Sequence, residues 1–242
     1  MSRHARTLLL AVLGAGLLHV SLLTDLYLRY VKEGLRLPLI ACGAVLLLLA
    51  LAGAVRDRSH GGDADHAHGH DHSRTPRVAW LLFLPALSLL LYVPPALGAY
   101  TATRTNNKAI TVRKGFDPLP ATSPLPMTLT DFTSRVQQDA AGAIRHRSVQ
   151  MTGFVTPAGH GEGWFLTRII FTCCAADSQS VKVRMYGGAA QPANTWLAVT
   201  GTWHPRGRLG TRTAEAALDV GVMRRITPPV NAYTDDLPLT PS

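Results

Sequence analysis

The chain has 242 residues, of which 47% are hydrophobic and 16% charged, and its formal net charge is +9. The basic residues form no arginine or lysine tract and aromatic residues are few, which argues against a nucleic-acid-binding protein. Three cysteines are too few for a disulfide framework.

Long apolar segments dominate the first hundred residues. Three of them contain no Asp, Glu, Lys or Arg: 7–24, 37–55 and 78–100. A helix needs about 20 apolar residues to cross the hydrocarbon core of a bilayer. We therefore predict a multi-pass protein of the cell membrane, in contact with lipid, with three transmembrane α-helices in residues 1–100. Arg3 and Arg6 precede the first segment, but no A-x-A cleavage pattern follows, so we interpret it as a retained helix.

The first two segments are joined by a short loop and are expected to form an antiparallel hairpin. Gly14 and Gly43 are among the small residues that would let the two backbones approach closely. His19, within the first segment, could equally hydrogen-bond a neighbouring helix or bind a ligand. The positive-inside rule slightly favours a cytoplasmic N-terminus, which would make the C-terminal domain extracytoplasmic.

A histidine-rich loop, residues 56–77, separates the second and third segments. Imidazole and carboxylate groups suit zinc, nickel or copper(II), and alternating histidines in a flexible chain can share one ion. The alternative is a polar connector that keeps two helices apart. We predict weak capture of zinc or another divalent transition metal by these side chains: His60, His66, His68, His70, His72, Asp63, Asp65 and Asp71.

The C-terminal half is expected to be a small all-β domain behind a proline-rich linker, residues 101–127, that acts as an extended tether. Thr130 is a candidate N-cap for one helix, whose apolar stripe would be Phe132, Val136, Ala140 and Ile144. Five strand-like runs follow: 148–156, 164–173, 180–186, 195–203 and 217–226.

Glycines at positions 153 and 201 mark places where these strands can bend. Five short strands with such a bend predict an OB-like barrel over residues 128–226, with a β-sandwich as the alternative. The proline-containing tail, 227–242, is expected to be disordered.

A second candidate metal site lies at the end of the second predicted strand. Cys173 and Cys174 could supply thiolate ligands and Asp177 a carboxylate, if a turn at Cys174 brings the side chains to one side. A redox-active pair of adjacent cysteines and a simple packed turn are equally weighted alternatives. His160 and His204 are expected at the other end of the barrel, where they would be ordinary surface histidines.

No catalytic motif is present: the sequence contains no P-loop, G-x-S-x-G or H-E-x-x-H pattern. We therefore do not expect an enzyme.

Three segments carry a resemblance to a known family: Val149–Val155, Phe165–Asp177 and Trp196–Gly201. They resemble the YcgQ-type family of uncharacterised bacterial membrane proteins, which shares the arrangement of N-terminal spans, linker and β domain. The resemblance implies one subunit of a two-component permease whose partner is a polytopic YcgR-type permease. It places family importance on Cys173, Cys174 and Asp177, and it does not extend to the histidine-rich loop.

Together these features predict an accessory subunit of a membrane permease complex that handles a divalent, zinc-like ion. A thiol-redox membrane protein using Cys173 and Cys174 is one alternative, and a non-catalytic anchor that binds an envelope ligand is another.

Overall fold

The computed structural model describes residues 3–59, 96–105, 110–159 and 163–237. The chain forms two compact units, Met1–Ala96 and Leu97–Ser242.

The described part of the N-terminal unit contains two long apolar helices, α1, Arg3–Leu22, and α2, Arg36–Ser59. Two short 3-10 helices, Leu26–Arg29 and Glu33–Leu35, connect them. Both α1 and α2 are long and apolar enough to cross a membrane. They coincide with the first two predicted spans. Residues 78–95 of the third predicted span, 78–100, lie outside the described residues. The third span therefore stays a prediction.

The predicted close approach of the hairpin is confirmed. A Cβ added at Gly14 would lie 2.9 Å from the carbonyl oxygen of Gly43, and one added at Gly43 would lie 2.8 Å from the side chain of Leu18. Beside the connection between the helices, Nε of Arg36 donates to the carbonyl oxygen of Ser21 at 2.9 Å. Because neither glycine has room for a side chain, the two helices meet backbone to backbone at this level.

The C-terminal unit is a six-stranded β sheet with two helices. The helices are α3, Ala99–Arg104, and α4, Leu129–Gln138. The strands are β1, Leu125–Pro126; β2, Ser148–Pro157; β3, Trp164–Ile170; β4, Gln179–Tyr186; β5, Trp196–Trp203; and β6, Ala217–Arg225. All five predicted strands are present, and the second ends earlier than expected.

The strands pair in the order β1-β2-β3-β4-β6-β5, and β2 pairs with β5 as well as with β3. The five longer strands are therefore linked in a closed cycle. The β1–β2 and β4–β6 pairs are parallel, and the remaining pairs are antiparallel. Inward-facing side chains of the strands and of α4 share one core, which includes Phe132, Val136, Met151, Leu166, Val183, Val199 and Leu218.

The two strand glycines lie where backbones cross closely. A Cβ at Gly153 would be 2.7 Å from the carbonyl oxygen of Thr167, and one at Gly201 would collide with the carbonyl oxygen of Asp219. Gly201 also adjoins the register shift between β5 and β6. The structure thus shows a close backbone approach at both glycines, and a bend of the strands at these positions stays a prediction.

Helix α4 begins earlier and ends sooner than the sequence indicated. Its N-cap is Thr128, not Thr130: the Thr128 hydroxyl accepts a hydrogen bond from the N–H of Asp131 at 3.0 Å. The helix ends at Gln138 because the Asp139 carboxylate then binds the N–H groups of residues 141 and 143. Ala140 and Ile144 consequently lie outside α4, although Ile144 is still buried.

Residues 110–127 lie on the β domain instead of forming the expected free tether. Arg113 pairs with Asp131 of α4 at 2.6 Å, and Arg135 of α4 donates to the carbonyl oxygen of Asp117 at 3.1 Å. Leu125 is buried in the core. The apolar residues between the prolines bury surface on the domain, and this accounts for the difference from the predicted tether.

The tail also differs from the expectation of disorder, at least to residue 237. Tyr233 is buried, and its ring stacks on Phe171 with 4.5 Å between centroids. The Asp235 carboxylate accepts hydrogen bonds from the N–H groups of Leu129 and Thr130, the first residues of α4. The tail therefore completes both the cap of α4 and a second apolar cluster, which includes Ala99 and Ala102 of α3.

The candidate site in the Cys173–Asp177 loop

The loop that follows β3 brings together Cys173, Cys174 and Asp177. β3 ends at Ile170, and the chain then turns into a short 3-10 helix, Ala175–Asp177, with Cys174 at its N-cap. The predicted turn at Cys174 is thus present. The predicted strand ends three residues early because the Asp177 side chain binds backbone N–H groups that a sheet would otherwise use.

The Asp177 carboxylate holds the shape of this loop. Its Oδ1 accepts from the N–H of Thr172 at 3.0 Å and of Cys174 at 3.4 Å, and its Oδ2 accepts from the N–H of Cys173 at 2.7 Å. In return, the Cys174 sulfur accepts from the N–H of Asp177, which completes a capping box. Both carboxylate oxygens are therefore occupied by the loop's own backbone.

The same carboxylate sets the chemistry of the thiols. A hydrogen bond from the Cys173 thiol to Asp177, followed by one to Cys174, raises the pKa of Cys173 to about 11. Desolvation acts to raise the pKa of Asp177, but the hydrogen bonds from Cys173, Thr172 and Cys174 outweigh it and lower that pKa. Both cysteines are free, and Cys173 is exposed. The loop thus presents the protonated thiol of Cys173 and the neighbouring Cys174 beside an ionised carboxylate.

The base of the loop is fixed by the C-terminal tail. Phe171 is buried, and its N–H donates to the carbonyl oxygen of Tyr233 at 3.2 Å. The hydroxyl of Tyr233 in turn donates to the carbonyl oxygen of Leu97 at 3.0 Å. The thiols are therefore carried on a supported segment rather than on a free loop.

Sequence analysis missed the role of Arg168, which lies fully buried in β3. Its Nε donates to the carbonyl oxygen of Thr234 at 3.1 Å, and its guanidinium lies 5.0 Å from the centre of the Trp196 ring. Burial lowers the pKa of Arg168 to about 10, against the opposing effect of Asp235 and then Asp236, so it stays charged at neutral pH. A charged residue at an inward position of an apolar run was the available signal.

Most of the predicted metal ligands belong to the histidine-rich loop, and all of these lie outside the described residues: His60, His66, His68, His70, His72, Asp63, Asp65 and Asp71. Within the described ranges, no three His, Cys, Asp or Glu side chains form a group that could hold a metal ion. Both oxygens of Asp177 accept hydrogen bonds from the loop, and binding of a metal ion by Cys173, Cys174 and Asp177 stays a prediction.

Of the two histidines considered for this site, His160 lies outside the described residues and His204 does not join the thiols. His204 stacks on Tyr186, with 4.0 Å between the ring centroids, and its Nδ1 lies 2.8 Å from Oδ1 of Asp219. Tyr186 ends β4, whereas the cysteine loop precedes the start of that strand. His19 is exposed on α1.

The comparisons with known proteins identify one domain. No curated protein and no solved structure gives a significant match to this chain. Residues 130–234 match the DUF1980 C-terminal domain. That range includes the cysteine loop, Arg168 and the part of the tail that Arg168 binds. The chain therefore carries a C-terminal domain of DUF1980, an uncharacterised bacterial family.

Proposed function

We propose that the chain is a membrane-anchored accessory subunit of a permease complex whose β domain captures a thiophilic divalent ion, such as zinc, at Cys173 and Cys174. The observation that supports this proposal is the loop around Asp177, which holds two free thiols side by side next to a negative charge. The histidine-rich loop would be a second, weaker capture segment, as its composition predicts.

Metal capture suits this loop better than thiol redox chemistry. A thiol that donates to a carboxylate is a poor nucleophile, because attack on a disulfide requires the thiolate. A divalent cation removes this obstacle, since it displaces one proton from each thiol as two metal–sulfur bonds form, and the protons pass to solvent. The charge of Asp177 then favours the bound cation instead of opposing the thiolates.

Two thiolates leave a divalent ion with open coordination positions, because zinc usually takes four ligands. Water or a partner protein would fill them. An incompletely coordinated ion is released more readily than one in a closed site, which suits a subunit that passes its ion on. The open coordination positions and the easier release favour a protein that delivers its ion over one that stores it.

The proposed arrangement has three transmembrane helices, an OB-type barrel and an extracytoplasmic C-terminal domain. The pairing of β2 with both β3 and β5, and the parallel pairing of β4 with β6, support the barrel. The uncharged sequence of 78–95 supports the third helix. Three apolar helices without paired intramembrane charges would form a poor pathway for an ion. A polytopic partner of the YcgR type is therefore expected.

Metal titration of the purified full-length protein tests the proposal. We expect zinc to bind the wild-type protein and the variant that lacks residues 59–73, with lower stoichiometry in the latter. The double variant Cys173→Ser/Cys174→Ser should lose the tighter binding event. Cys42→Ala is the matched control because it removes the only cysteine outside the loop and should bind normally.

The pH dependence of binding separates the two kinds of ligand. Histidines lose their protons at a pKa of about 6.5, so affinity that still rises above pH 7.5 reports thiol deprotonation. Identical titrations of wild-type and double-variant protein would overturn metal capture by the loop. A reversible two-electron thiol couple without zinc binding would favour the redox alternative instead.

A further inference from the structure

A pocket on the β domain lies apart from the cysteine loop and has no part in the proposed function. Its volume is about 570 Å³, within the range of about 300–1,000 Å³ typical of small-molecule sites. Residues of α4, β3, β4 and the segment before β6 line it, among them Thr133, Gln137, Phe165, Ser180, Lys182 and Glu215. These elements all belong to one unit, so the pocket is a property of the folded domain.

Two cationic residues, Lys182 and Arg212, line this pocket. Lys182 alternates along β4 with the core residues Val181 and Val183, and its side chain is half-buried. Across the described part of the chain, no carboxylate forms an ion pair with its ammonium group. Desolvation alone lowers the pKa of Lys182, which agrees with a cation that has lost water without gaining a counter-charge.

The one acidic residue that lines the pocket is already neutralised. Oε1 of Glu215 lies 2.6 Å from Nε of Arg184, and its Oε2 lies 3.3 Å from Nε of Arg206. Arg184 also lies 4.6 Å from the centre of the Phe165 ring, which fixes this wall of the pocket. The Glu215 carboxylate is therefore paired with two arginines, and the local charge around Lys182 remains positive.

A buried hydroxyl lies beside this positive charge. Ser180 is 0% exposed, and its Oγ has no hydrogen-bond partner within the described residues. A buried polar group without a partner costs free energy, so such groups in folded proteins usually bind a water or a ligand. A ligand with acceptor oxygens would satisfy both the Ser180 hydroxyl and the Lys182 ammonium group.

We propose that this pocket binds a small organic or inorganic anion, of the carboxylate or phosphate class, through Lys182 and Ser180. Anion oxygens accept hydrogen bonds from both groups, and the ring of Phe165 provides an apolar wall for the remainder of an organic ligand. The side chains of Thr133 and Gln137 supply further polar atoms on the α4 side.

Acylation of lysines, quantified by peptide mass spectrometry, tests this on the full-length protein. The probes are inorganic phosphate and succinate, each compared with sodium chloride at equal ionic strength. At ten times the dissociation constant, a bound anion should slow acylation of Lys182 about tenfold. Lys114 is exposed and serves as the internal reference, whose acylation should not change.

Protection of Lys182 by phosphate alone or by succinate alone would support the site and identify its ligand class. Protection by both anions would support a general anion site. Equal protection by chloride, or none by either probe, would overturn the proposal. A second measurement uses variants: phosphate or succinate should raise the melting temperature of wild-type protein and of Lys114→Met but not of Lys182→Met. Because the labelling experiment uses wild-type protein, a folding defect in Lys182→Met leaves the test intact.

Discussion

The carboxylate of Asp177 accepts a hydrogen bond from the N–H of Cys173 at 2.7 Å and raises the pKa of the thiol of the same residue. The hydrogen bond fixes the peptide on which the thiol is carried, and the nearby carboxylate favours the protonated form of that thiol. One side chain thus influences both the position and the protonation state of Cys173.

Asp177→Asn should therefore bring the pKa of Cys173 down from about 11 towards the ordinary value of 9.0, because the amide carries no charge to oppose the thiolate. Since alkylation requires the thiolate, the rate of modification by iodoacetamide at pH 8 should rise at least about tenfold. The measurement is the pH profile of alkylation of the Cys173 peptide, followed by mass spectrometry in a Cys42→Ala background.

The midpoint of that profile, rather than the rate at one pH, carries the conclusion, because a loosened loop would raise the rate without moving the midpoint. Asp117→Asn is a suitable control, since Asp117 is exposed and contributes only its backbone carbonyl to the contact with Arg135. An unchanged midpoint in Asp177→Asn would show that the carboxylate does not control the thiol.

Arg168 joins β3 to the C-terminal tail, so its removal should release the tail. In Arg168→Ala the carbonyl oxygens of Thr234 and Asn231 lose their donor, and a cavity remains in place of the guanidinium. We expect the free energy of unfolding of the domain to fall by about 2–5 kcal/mol. Chymotrypsin should then cleave after Tyr233, which is buried in the wild-type protein.

Arg225→Ala is the matched control, because Arg225 is exposed at the end of β6 just before the tail. Its proteolysis pattern should equal that of the wild-type protein. Resistance of Arg168→Ala to chymotrypsin would mean that the other contacts of the tail, such as the Phe171–Tyr233 stack and the Asp235 cap, hold it without Arg168.

The strands were predictable because their signal is local. Val181 and Val183 alternate with Lys182 and Arg184, and the structure places the valines in the core and the charged residues on the other face. The cysteine loop was predictable in part for the same reason, since Asp177 lies only four residues from Cys173. The end of β3 at Ile170 was not predictable, because the Asp177 side chain competes with the sheet for backbone N–H groups.

The tail escaped prediction because its partners are distant in sequence. Arg168 binds Thr234 and Asp235 caps Leu129, and neither contact leaves a periodic pattern. Proline-rich composition indicates disorder only when no surface binds the segment, and here the β domain provides one. The same reasoning applies to residues 110–127, where Arg113 and Arg135 hold the chain against α4.

Gly201 and Gly221 offer a paired test of the crossing between β5 and β6. Gly201→Ala should destabilise the β domain strongly, because the new Cβ would overlap the carbonyl oxygen of Asp219, a backbone atom that cannot move alone. Gly221→Ala places its Cβ 3.4 Å from the carbonyl oxygen of Thr200, which is nearly ordinary contact. Thermal unfolding followed by near-ultraviolet circular dichroism should show a large loss only for Gly201→Ala. Equal melting temperatures would contradict the crossing.

The hairpin of α1 and α2 can be tested by cross-linking in native membranes. A Cβ at Gly53 would lie 3.1 Å from Oγ1 of Thr7, so cysteines at these two positions should form a disulfide in a chain without other cysteines. The control pair is Leu8→Cys with Gly53→Cys. Leu8 is 60% exposed and belongs to another face of α1, so this pair should cross-link poorly.

Gly14→Leu should abolish the disulfide between positions 7 and 53. The added side chain would start 2.9 Å from the carbonyl oxygen of Gly43, and the helices must separate to admit it. Gly34→Ala should leave the disulfide intact, because no atom lies within 4 Å of a Cβ at that position. If the disulfide forms equally well in Gly14→Leu, the contact between Gly14 and Gly43 does not hold the hairpin together, and other contacts between α1 and α2 keep the two helices side by side.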